Sequence, residues 1–95
     1  MEPKVLNRYH QKVVEEASRH LPVVNIMRPG KWGNPFSIGG HGDRQEVIAK
    51  FDEYIRSRPD LLRDAKKELK GKHLLCCCKP RACHGDILLE IANSE

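Results

Sequence analysis

Apolar positions along the 95-residue chain alternate between short β-branched runs and stretches with helical spacing. Residues 4–7 read as a short strand, and residues 11–20 as a helix carrying Val13, Val14 and Ala17 on one side. A single helix from Val5 through Ala17 fits the same positions, because Val5, Leu6, Tyr9, Val13 and Val14 also follow helical spacing. Val23, Val24, Ile26 and Met27 make residues 23–27 a buried strand. Pro29, Gly30, Gly33 and Pro35 then forbid any regular period, so residues 28–42 form a long loop. Asp43 caps the next helix, with Glu46 completing a capping box, and Val47, Ile48, Phe51, Tyr54 and Ile55 make its buried stripe. Pro59 ends that helix and opens another, whose inward residues are Leu61, Leu62, Ala65 and Leu69. Gly71 supplies the left-handed cap. Residues 73–78 read as an apolar strand broken by Pro80. Residues 83–92 are a final helix burying Ile87, Leu88, Ile91 and Ala92.

The order is therefore strand, helix, strand, long loop, two helices, strand, helix. Alternation of this kind predicts a single α/β domain over residues 1–95. Its core is a small three-stranded, mostly parallel sheet covered by helices, Rossmann-like in character. In such sheets ligands collect beyond the carboxyl ends of the strands. Two segments leave such ends here, the loop after Met27 and the turn after Cys78. Both are rich in reactive and ligand-binding side chains, which predicts that they share one cleft.

Composition adds bounds to this picture. With 39% hydrophobic and 32% charged residues, the chain is ordinary for a soluble globular protein. No apolar run approaches the ~20 residues of a membrane span, and the first residues lack a signal-peptide pattern, so a cytoplasmic location is expected. A net charge of +4 favours anionic partners such as nucleotides, nucleic acid or phosphorylated metabolites; a slightly basic solvated surface is the plainer reading. All four cysteines fall between positions 76 and 83. A disulfide framework would spread them along the chain, so this spacing reads as reduced thiols at one site.

On a strand, Cys76 and Cys78 share a face while Cys77 points to the other. Cys83 and His84 follow at the first turn of the last helix. In one reading, Cys76, Cys78, Cys83 and His84 supply the four soft donors that zinc takes in a tetrahedron. In another, Cys83 is a reactive thiol whose pKa is lowered by the helix N-terminus and by Lys79, Arg81 and His84. His84 would then shuttle protons and Asp86 would orient it or act as a base. The same free N–H groups, with Gly85 allowing close backbone approach, could instead hold a phosphate. The plainest reading is that the cysteines are small hydrophobes packing a strand.

The loop offers a matching set. Trp32, the only tryptophan, could stack on a base whose edge Asn34 reads, while Arg28 and Lys31 take phosphate charge. Alternatively, Trp32 and Phe36 fold back as a hydrophobic lid. Arg44, in the first turn of its helix where the dipole disfavours a cation, could be compensated by a bound anion.

Taken together, Val5-Leu6-Asn7-Arg8, Arg28-Pro29-Gly30-Lys31-Trp32-Gly33-Asn34-Pro35-Phe36, Asp43-Arg44 and Cys76-x-Cys78-x-Pro80-x-x-Cys83-His84-Gly85-Asp86 resemble a family of small bacterial and phage proteins. That family is a domain of unknown function marked by its Cys-His-Gly-Asp motif. The resemblance implies that Cys76, Cys78, Cys83, His84 and Asp86 are signature positions. It brings no activity with it, and the stretch between Asn7 and Val23 is longer here than in the family pattern. The leading expectation is a ligand-binding or enzyme-like domain acting on a nucleotide or nucleic-acid component, with Cys83, His84 and Asp86 as candidate chemistry. The alternative is a zinc-stabilised, non-catalytic module that binds a host protein or nucleic acid. A thiol–disulfide exchange protein is a third reading, weakened by the lack of a Cys-x-x-Cys pair.

Overall fold

The computed structural model describes residues 2–79 and 81–94. Pro80, expected to break the last strand, lies outside them. Seven elements follow the expected order: β1 (Val5–Asn7), α1 (Gln11–Ser18), β2 (Val23–Asn25), α2 (Arg44–Arg56), α3 (Pro59–Glu68), β3 (His73–Cys76) and α4 (His84–Asn93). The three strands form one sheet in the order β1-β3-β2, and both pairings are parallel. β3 therefore runs down the centre, with Cys76 opposite Asn7 and Leu75 opposite Asn25.

Local chemistry accounts for the boundaries. Asp43 accepts the Glu46 N–H while the Glu46 side chain accepts the Asp43 N–H, the capping box that starts α2. Pro59 occupies the start of α3, where its missing N–H costs nothing. Gly71 takes φ +74 on the way into β3, a conformation favoured for glycine. β2 stops two residues short of the expected Met27 because the Asn25 side chain accepts the Met27 N–H and turns the chain. β3 likewise stops at Cys76, before Cys78. The single long helix considered for residues 5–17 is not formed; Val5 to Asn7 pair with β3 instead.

The core joins Phe51 and Ile55 of α2, Ala65 of α3, Leu74 of β3 and Leu88, Ile91 and Ala92 of α4, with Ile26 and Trp32 from the loop side. Of the stripe expected on α1 only Ala17 is buried, and Val13 is exposed. Among the described residues no helix is long and apolar enough to cross a membrane.

Candidate functional site

β3 delivers Cys76 as its buried last residue. The chain then bends, exposing Cys77 and leaving Cys78 half-buried, and the Arg81 N–H closes the turn on the Cys78 carbonyl at 2.8 Å. Cys83 is the N-cap of α4, in extended conformation. Its sulfur accepts the Gly85 N–H at 3.4 Å, and its own N–H donates to the Asp86 carboxylate at 3.3 Å. This is a capping box with a thiol where a hydroxyl usually stands. Gly85 fits because a Cβ there would lie 2.8 Å from Ile26 Cδ1 and 3.1 Å from both Val5 methyls, so the first turn of α4 can rest against the sheet.

The three sulfurs of Cys76, Cys78 and Cys83 lie within 4.8 Å of one another and could hold a metal ion. All four cysteines are free, and the closest pair, Cys76 Sγ and Cys83 Sγ, is separated by 2.7 Å. Their contact shifts the two thiols apart: Cys76 is pulled down by its hydrogen bond with Cys83, and Cys83 is pushed up by the same contact and by burial. Burial raises Cys78, opposed by a hydrogen bond from the Arg44 guanidinium.

His84 ties this turn to the loop. Its Nε2 lies 3.0 Å from both the Ile26 and Trp32 carbonyl oxygens. Two acceptors require Nε2 to carry a proton. Nδ1 then faces Cys83 Sγ at 3.6 Å. The imidazole is buried, and its edge meets the Phe51 ring. The loop and the cysteine turn thus converge, and they border one cleft of about 130 Å³. Arg28, Asn34, Arg44, Cys76, Cys78, Cys83 and His84 all line it, with Met27, Phe36 and Ile38 as an apolar wall.

Other candidate residues lie elsewhere or are occupied. Lys31 reaches away to α3, 3.2 Å from Asp64 and 2.8 Å from Glu68, and covers the Trp32 ring at 4.9 Å. Trp32 is buried in the core beneath it, so it takes the lid role rather than offering an open stacking face. Asn34 spends its amide on the chain itself, donating to the Val47 carbonyl and accepting the Phe36 N–H. Asp86 pairs with Lys79 at 2.7 Å besides capping Cys83, and these bonds do not reach the imidazole it was expected to orient. Arg44 donates to the Ala82 carbonyl at 3.2 Å, which bridges α2 to the cysteine turn.

One contributor has little signature in sequence. Asn7 at the end of β1 accepts the Tyr9 N–H and donates to the Lys79 carbonyl, fixing the far side of the turn. Its signals are a polar residue at the carboxyl end of an apolar run and its place in the Val5-Leu6-Asn7-Arg8 motif.

With this geometry in place, comparison with known proteins adds a family. The model of a domain of unknown function, DUF4326, matches residues 6–94. The chain belongs to that family. Within reach of this DUF4326 chain are two viral relatives. An uncharacterized 12.4 kDa protein from the nrdA-td intergenic region of Enterobacteria phage T4 is 37% identical over 73 residues, covering 74% of this chain and 67% of the relative. Uncharacterized protein R718 of Acanthamoeba polyphaga mimivirus is 36% identical over 69 residues, covering 64% of this chain and 52% of the relative. The chain thus spans about half to two thirds of these proteins. No solved structure matches it.

Proposed function

We propose that the cleft binds the anionic part of a nucleotide or nucleic-acid component above a zinc ion held by Cys76, Cys78 and Cys83. The observation that carries this reading is the gathering of three thiols in a cleft that two guanidinium groups also line. Three sulfur donors leave one position of a tetrahedral zinc for a further ligand. Arg28 and Arg44 would take phosphate oxygens, and Met27, Phe36 and Ile38 supply the apolar surface for a ring edge that the sequence suggested for Trp32. A cleft of about 130 Å³ is well above the space a single water needs. It suits a phosphate or one edge of a base, with the rest of the ligand outside. Of the three candidate catalytic groups, Cys83 and His84 border that space while Asp86 acts at the helix cap.

Elemental analysis of the purified protein tests the metal, with one zinc per chain as the expected result. Protein that carries no metal and takes up none when offered zinc rejects it. Calorimetry with nucleoside monophosphates and a short single-stranded oligonucleotide tests the anion site. Arg28→Ala and Arg44→Ala should each weaken binding at least about tenfold, the loss of a charge-assisted hydrogen bond; unchanged affinity in both variants removes the reading.

The structural employment of Cys83, His84 and Asp86 in caps and loop ties favours a second reading, the zinc-stabilised interaction module. In that case zinc removal by a strong chelator lowers the melting temperature sharply, while no nucleotide binds.

A further inference from the structure

We propose that Cys76 and Cys83 are a reversible redox pair, closing to a disulfide when hydrogen peroxide enters the cleft. Their sulfurs stand 2.7 Å apart, against about 2.05 Å in a disulfide, so closure asks for a small side-chain adjustment. The pair is held from two sides. Cys76 ends the central strand, and Cys83 starts a helix whose first turn is pressed on Val5 and Ile26. Both cysteines are 2% exposed, yet both border the cleft of about 130 Å³, which has room for a molecule of peroxide's size. Cys77, the exposed thiol, lies outside this pairing.

The chemistry balances within the pair and the peroxide. One sulfur attacks a peroxide oxygen and becomes a sulfenic acid, and the departing hydroxide leaves as water with that thiol's proton. The second sulfur then attacks the first, forming the S–S bond and expelling the hydroxyl, which takes the second thiol's proton as another water. Two electrons pass from the thiols to the peroxide. The inference does not depend on zinc; an ion held by the same sulfurs would compete with closure and protect the pair.

The test uses full-length Cys77→Ser/Cys78→Ser protein, which keeps Cys76 and Cys83 as its only thiols, beside the natural chain, each with and without prior chelation. Peroxide should remove the mass of two hydrogens and join tryptic peptide 73–81 to peptide 82–95. Dithiothreitol should reverse both changes. The natural chain should give the same joined peptides, and the double variant Cys76→Ser/Cys77→Ser, with Cys78 retained, should give at least about tenfold less. Circular dichroism before oxidation confirms that each variant is folded. Sulfur that only gains oxygen, with no joined peptides in chelated or untreated protein, overturns the proposal. So does equal linkage through Cys78.

Discussion

The central strand carries a buried polar side chain at each end, and the two are in opposite conditions. At the start of β3, His73 accepts the Lys4 N–H on Nδ1 at 3.0 Å, while its Nε2 is buried with no partner among the described residues. At the other end, Cys76 meets the Cys83 sulfur, lies close to Cys78, and borders an opening lined by two arginines. Burial is equally complete at both ends. What separates them is convergence: one end gathers donors from β3, α4 and the long loop around an open volume, and the other is sealed. A buried polar group is a site candidate only where partners and access coincide.

The comparison can be broken most forcefully at the thiol end. Cys83→Ser should weaken zinc binding by more than about 100-fold, beyond the ~10–100-fold typical for removing a partner outside the ligand set. A competition titration with a chromophoric chelator measures it, and an unchanged affinity would mean that the cluster is mere packing. Next in size is His84→Ala, which takes the donor from the buried Ile26 and Trp32 carbonyls and leaves a ring-sized gap. We expect a loss of about 3 kcal/mol in urea unfolding. A loss no larger than that of a surface substitution would mean that the loop and turn do not depend on the imidazole.

At the sealed end, His73→Phe should cost about 1 kcal/mol or less, since it removes an unpaired donor together with the acceptor of one partly exposed N–H. The same residue predicts a pH dependence. Burial, then the charge of Lys4 and more weakly that of His20, hold the imidazole below its ordinary 6.5. As pH falls below that value the unfolded chain takes up the proton first. The stability tied to His73 is therefore complete above about pH 6.5 and declines as pH drops through the folded-state pKa. Chevron or equilibrium denaturation across this range should show the decline in the natural chain and a flatter profile in His73→Phe; equal slopes would exclude His73 as the cause. The smallest effect belongs to Cys77→Ser, at an exposed position, where a change within about 0.5 kcal/mol is expected and zinc affinity should be retained.

Most of the fold was legible because its signals are local. The Asp43–Glu46 box, Pro59, Gly71 and the β-branched run at residues 23–27 each act within a few residues of themselves. The convergence of loop and turn also followed from strand order, since parallel strands bring their carboxyl ends together. What stayed illegible depends on distant partners. Nothing near Lys31 announces Asp64 and Glu68 on α3, so a residue that looked free for phosphate is spent on a surface ion pair. Trp32 could have been platform or lid until the core was assembled around it. Asp86 was misread for a different reason. It sits three residues after an N-cap, the position of a capping carboxylate, but the cap is a cysteine, and the usual rule looks for a hydroxyl, amide or carboxylate oxygen there.

That cysteine cap has a spectroscopic consequence. Because the Gly85 N–H rests on the Cys83 sulfur, any reaction that withdraws electron density from this atom weakens the acceptor at the head of α4. The backbone resonance of Gly85 is then a built-in reporter. Its nitrogen and proton frequencies should move on metallation or oxidation of the neighbouring thiol, read in solution without a label on any side chain.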